Sequence, residues 1–219
     1  MCLSEQLSTF FFKNKQKQMV KKSIINETNN FKDPFEKKSV YQFISELYNI
    51  PLYTLLKIII DKSDPIITTD NIPQYSSYFD GTKEIINILR MAGDIGPSFK
   101  EVGVYLLGKG KSNAAYSKYG ENHAKLAREY GLVYFFHSSS YKVYLTKLGK
   151  MVEQLDNTMQ DDILIKLSLR IPIIQYCFKN SIFIPKHIEK VLNNYLSKST
   201  AKRRKNNVFT IINMVNEKI

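Results

Sequence analysis

After Gly131 the apolar period of this chain changes, and that change constrains its fold more than any other feature. Before it, apolar residues recur at three- and four-residue steps, the spacing of an amphipathic helix. After it, Leu132-Val133-Tyr134-Phe135-Phe136 and Tyr141-Lys142-Val143-Tyr144-Leu145 form two β-prone runs about the polar turn His137-Ser138-Ser139-Ser140. A β-hairpin is predicted. Upstream, Thr82 stands as cap to a helix carrying Ile85, Ile88, Leu89 and Ala92 and stopped by Gly93-Asp94. Ser98 with Glu101 three residues on makes a capping box for a second helix, with Val102 and Leu106 inward and Gly108 and Gly110 at its end. Tyr119, His123, Leu126, Ala127 and Tyr130 mark the inner face of a third helix, and Thr146 opens a fourth after the hairpin.

Helix, helix, helix, strand, turn, strand is the order of a winged helix-turn-helix. The last third repeats its helical part: a helix from Ile163 to Phe178, a second through Ile184, Ile188, Val191, Leu192 and Tyr195, and a third from Ser199 or Thr200 with Val208, Ile211, Ile212 and Val215 inward. The expected fold class is therefore mainly α with a small β-hairpin wing, arranged as tandem winged helix / helix-turn-helix modules. Three regions follow: 1–80, an N-terminal helical arm and interaction region; 81–155, the winged helix-turn-helix; and 156–219, the second helix-turn-helix module. Within the first region, residues 13–38 are a polar arm, two short helices flank Pro51, and the aperiodic stretch from Asp64 to Gly81 reads as a linker.

Charge separates these regions by role. The chain has 32 Lys and Arg against 20 Asp and Glu, a net +12, of which residues 1–80 carry only +1. The excess lies in 81–219, so a polyanion surface belongs there, and double-stranded DNA is the expected partner. Residues 1–80, nearly neutral and rich in Phe, Tyr, Leu and Ile, are the candidate surface for a homodimer or a partner subunit. No apolar run approaches the roughly 20 residues of a membrane span, and an acid at Glu5 stands where a secretory signal carries basic residues, so no membrane association and a cytoplasmic setting are expected.

A recognition helix needs base-reading side chains near its N-terminus and cations beside it for phosphates. On the last helix Lys198, Lys202, Lys205 and Asn206 share one side, and Arg203, Asn207 and Thr210 form an adjacent row. Lys205 borders the inner face, and Arg204 is expected to pair with an acid inside the module. On the third helix Asn113, Tyr116, Ser117, Lys118, Asn122 and Lys125 are the outward candidates, and Lys142 flanks the wing tip. Nuclease chemistry has one formal match, Glu36-Lys37-Lys38, in which Glu36 would help hold Mg²⁺ and Lys38 would stabilise charge; it lies in a polar stretch without a strand pattern. No cofactor is evident, Mg²⁺ entering only if the chain is a nuclease, and two cysteines with three dispersed histidines make no metal set.

The stretch from Tyr119-Gly120-Glu121-Asn122-His123 through Tyr130-Gly131-Leu132-Val133, followed by Val143-Tyr144-Leu145-Thr146-Lys147-Leu148-Gly149, resembles the winged-helix domains attached to prokaryotic type II restriction endonucleases. Leu196-Ser197-Lys198-Ser199-Thr200-Ala201-Lys202-Arg203-Arg204 with Thr210-Ile211-Ile212 is similar to the second helix-turn-helix that accompanies them. The resemblance spans roughly residues 81 to 219. It implies a target-site reader in a restriction-modification system, as the recognition component of a type II endonuclease or as the endonuclease itself. The larger relatives carry a separate catalytic domain, for which this sequence offers only residues 1–80. A transcription or plasmid-replication regulator without nuclease activity is the alternative built on the same modules.

Overall fold

The computed structural model describes residues 39–62, 64–75, 83–137 and 140–219. Helices dominate, with one small antiparallel sheet. Ser39 opens α1 (Val40–Asn49) through a capping box with Gln42, and Val40, Phe43, Ile44 and Leu47 are buried on one stripe. At Ile50-Pro51 the chain turns by 113° into α2 (Leu52–Lys62), which buries Leu55, Leu56 and Ile59. No single helix among the described residues is long and apolar enough to cross a membrane.

The stretch expected as a linker is packed where it is described. Ile67 and Ile72 are buried, a short 3₁₀ turn covers Thr69–Asn71, and residues 64–75 lie as a strap against the last helix. The strap is tied to the last helix through its carbonyls, which leave no side-chain pattern to read. Thr82, the expected cap of the next helix, lies outside the described residues.

Three helices follow. α3 (Lys83–Ala92) ends where Gly93 takes φ +41°; α4 (Phe99–Leu107) starts at the expected Ser98–Glu101 capping box; α5 (Asn113–Glu129) is capped by the Ser112 hydroxyl. α4 and α5 cross at closest approach through Gly103 and Gly120. A Cβ on Gly120 would strike the Phe99 carbonyl oxygen and lie 2.7 Å from Gly103 N, and one on Gly103 would strike the Tyr116 carbonyl. Only two hydrogens on facing backbones allow this spacing.

β1 (Val133–His137) and β2 (Tyr141–Leu145) pair antiparallel, with Tyr134 opposite Tyr144 and Phe136 opposite Lys142. Ser138 and Ser139 of the turn lie outside the described residues. Val143 N donates to Pro97 O (2.9 Å), seating β2 on the α3–α4 turn. Thr146 joins hairpin to helix: its hydroxyl donates to Gly131 O (2.8 Å) and accepts from Gly149 N (2.9 Å), capping α6 (Lys147–Glu153).

The single helix expected from Ile163 to Phe178 is two, α7 (Asn157–Ser168) and α8 (Pro172–Lys179). Pro172 has no N–H for the Ser168 carbonyl, and its ring collides with a continuing turn, yet it suits the first position of a new helix. α9 (Pro185–Leu192) begins the same way, and α10 (Lys198–Asn216) follows. Val208, Ile211, Ile212 and Val215 of α10 are fully buried. One continuous apolar core runs from Val40 to Val215 and includes α1, α2 and the strap.

Lys166 and Cys177 bring a charge and a thiol into the interior. Lys166 is 3% exposed; its ammonium donates to Asp162 Oδ2 (2.7 Å) and to the Tyr48 carbonyl at the end of α1 (2.9 Å). Cys177 is fully buried, and desolvation pushes its thiol up to about 12. Since only the thiolate attacks, Cys177 should resist thiol reagents in the native protein and react once denaturant opens the core. Mass spectrometry of a Cys2→Ser variant across a urea series checks this; fast native labelling would show that α8 opens readily.

Candidate nucleic-acid interface

α10 offers the most cationic exposed surface among the predicted residues. Its buried stripe leaves Lys198, Lys202, Arg203 and Asn206 exposed, and none of the three cations is ion-paired to a described residue. Asn206 lies four residues after Lys202 and three after Arg203, so the three face outward together. Lys205 does not join them: it borders the buried stripe and is bound to Glu189 of α9. Half-neutralised by that carboxylate, it acts in packing α9 against α10.

Arg204 and Asn207 turn to the strap. Arg204 Nη1 donates to the carbonyls of Thr69 (3.3 Å) and Ile72 (3.1 Å), and Asn207 Nδ2 donates to Gln74 O (2.5 Å). The expected acidic partner of Arg204 is thus replaced by backbone oxygens. Burial lowers the guanidinium pKa, with Arg203 beside it acting in the same direction and Asp70 opposing. Thr210 donates to Asn206 O (2.9 Å), closing the outer row on itself.

α5 is less open than its sequence suggests. Asn113 and Lys118 are exposed, Ser117 and Lys125 half-buried. Asn122, predicted outward, is buried, and its Oδ1 has no hydrogen-bond partner among the described residues. It lies one turn before buried Leu126, so α5 is covered on a second flank. Tyr116, also predicted outward, is buried; its hydroxyl donates to Gly108 O (2.9 Å) and accepts from Lys111 N (2.9 Å), fixing the glycine loop at the start of α5.

Charge on α5 is partly cancelled. Glu121 accepts from Lys118 (3.1 Å) and Lys125 (2.8 Å). Burial alone raises the Glu121 carboxyl, but hydrogen bonds from Lys125 and Lys118 outweigh it and hold the pKa below the usual range. Two cations therefore present one net charge. Lys142, half-buried on the hairpin, stands 3.7 Å from Glu101, whose carboxylate is engaged by the Ser98 amide (2.6 Å) and hydroxyl (2.7 Å).

The strap also reaches α5, through a contact the sequence did not signal. His123 of α5 is buried between the rings of Tyr75 (4.2 Å between centroids) and Tyr119 (4.1 Å). Its Nε2 lies 2.9 Å from Glu84 Oε2 and its Nδ1 3.0 Å from Tyr119 O. Residues 64–75 thus touch both helices that carry predicted interface residues. Tyr134 and Phe136, on the outward side of the hairpin, were not singled out either, although their alternation with Val133 and Phe135 carries that information.

No group of three or more metal-ligating side chains occurs among the described residues. Glu36 and Lys38, the nuclease candidates, lie outside the described residues. No protein-family model, curated protein or solved structure matches the chain.

Proposed function

We propose that this chain is a sequence-specific double-stranded DNA-binding protein built from a winged helix-turn-helix and a second helix-turn-helix, acting as target reader in a type II restriction system. The observation that carries the reading is the outer face of α10: three cations and an asparagine exposed on the N-terminal half of a helix whose opposite side is fully buried. Such a face suits the major groove, with lysines on phosphates and a planar Arg or amide on base edges. α3 to α5 followed by the hairpin supply the second, less charged contact. The restriction setting rests on the resemblance alone.

Within the α10 face the roles divide by chemistry. Lys198 and Lys202 neutralise phosphates; Arg203, whose fork matches guanine O6 and N7, and Asn206, whose amide matches adenine, read sequence. Because α1, α2 and the strap belong to the same core, binding should be measured on the full chain. Lys202→Ala should weaken all sequences alike and reduce the salt slope by about 1, whereas Arg203→Ala should cost about 1–3 kcal/mol on the selected site and little elsewhere. Anisotropy titrations over a salt series, after selection from a random duplex library, provide the test. A wild-type chain that fails to bind duplex DNA at low salt rejects the reading, and uniform losses for both variants move base reading from α10 to α5. A Mg²⁺-dependent cleavage assay on methylated and unmethylated DNA then separates a nuclease from a reader.

A further inference from the structure

We propose that the outward face of the β1–β2 hairpin, centred on Phe136 with Lys142 opposite, binds an unstacked nucleobase. This rests on the DNA-binding reading and adds to it a second mode of contact. Phe136 is 57% exposed, although its side chain has no polar group to gain from water. Register places Phe136 directly across from Lys142, and the neighbouring cross-strand pair on the same face, Tyr134 and Tyr144, is stacked at 5.6 Å between centroids. Tyr144 in turn fills the space that a side chain on Gly96 would need. An ordered aromatic pair therefore stands beside the exposed ring, which lowers the entropy cost of ordering a ligand against it.

Charge decides which ligand fits. Neither strand contains an acid, and the only formal cation on them is Lys142, so the hairpin cannot grip a duplex by phosphate neutralisation in the way α10 can. Lys142, which stands 3.7 Å from Glu101 and is partly neutralised by it, is a single cation beside an exposed ring and matches one nucleotide at most, with the base on the ring carrying the contact. Residues 81–150, to which the hairpin belongs, carry eleven basic and five acidic side chains, a setting that favours a polyanion over an uncharged peptide. Such a base has two sources, an intact duplex from which the protein draws it at a kink, or a mismatch or strand end where it is already exposed; the chemistry at Phe136 is the same.

The test uses the full chain with three DNAs of one sequence: an intact duplex, one with a central mismatch, and one ending in a short single-stranded overhang. Wild type should bind at least one of them with an affinity that Phe136→Ala lowers roughly tenfold and Phe136→Trp restores, base–aromatic stacking being the interaction removed. Loss on the intact duplex as well identifies a base drawn from the stack; loss confined to the mismatch or overhang identifies a base already exposed. Equal affinity of wild type and Phe136→Ala for all three DNAs overturns the hairpin proposal and leaves the α10 reading standing, whereas no binding by wild type overturns both. Conversion of a wild-type dimer to monomer by Phe136→Ala, with DNA affinity unchanged, would identify a protein-covered face and equally overturn it.

Discussion

Replacing Gly120 by alanine should destabilise the protein by about 3 kcal/mol or more, at or beyond the upper end of the cost of overpacking. The added methyl has nowhere to go. Its nearest neighbours are the Phe99 carbonyl and Gly103 N, backbone atoms of a helix that cannot rotate away as a flexible side chain can. Relief requires α4 and α5 to separate, which also loosens Tyr116 and, through it, the Gly108–Lys111 loop. For a chain of this size the melting midpoint should fall by roughly 6–12 °C. Thermal and urea unfolding provide the measurement, and an unchanged midpoint would mean that the crossing is loose in solution. Gly103→Ala should behave alike, since its methyl meets the Tyr116 carbonyl from the other side.

Asp162→Ala should cost about 2–3 kcal/mol, and more than Lys166→Met. Removing one partner of a buried ion pair leaves a charge that has lost its compensation, a loss of about 3–5 kcal/mol when both are fully buried. Asp162 is 40% exposed, so water recovers part of that loss. The remaining ammonium keeps the Tyr48 carbonyl, at a helix end whose negative pole favours a cation, and the Tyr48 ring at 5.8 Å. Methionine at position 166 instead removes the buried charge, fills similar volume and leaves an accessible carboxylate. Urea midpoints at constant slope rank the two variants; the reverse order would show that the Lys166 ammonium is hydrated in the native state.

Local signals in the sequence were legible wherever one short segment contains both donor and acceptor. Ser98 with Glu101, Thr146 and the two β-prone runs after Gly131 all organise the chain within a few residues of themselves. Pro172 was visible too, but the apolar pattern from Ile163 to Phe178 continued across it and concealed the break. Burial of Asn122 and Tyr116 was not legible, because a single helical stripe describes one packed face and α5 has more than one. The strap was least legible of all: Arg204 and Asn207 are held by carbonyls of Thr69, Ile72 and Gln74, and any residue type offers a carbonyl. The same limit affects the interface: the sequence put Lys202 and Asn206 on one row and Arg203 on the next, marked Lys205 as bordering the inner face without its Glu189 partner, and gave no sign that Asn207 turns to the strap.

Those strap contacts also impose an order on biogenesis. The Arg204 bond to Ile72 closes a loop of 132 residues, and the other two span 133 and 135. At a synthesis rate of about 5–20 residues per second, Ile72 leaves the ribosome roughly 7–26 s before Arg204 does. Throughout that interval the strap carbonyls of Thr69, Ile72 and Gln74 have no α10 to hold them. The N-terminal third of the described chain is thus made first and completed last, and a nascent chain halted before Lys198 should expose these residues to chaperones and proteases.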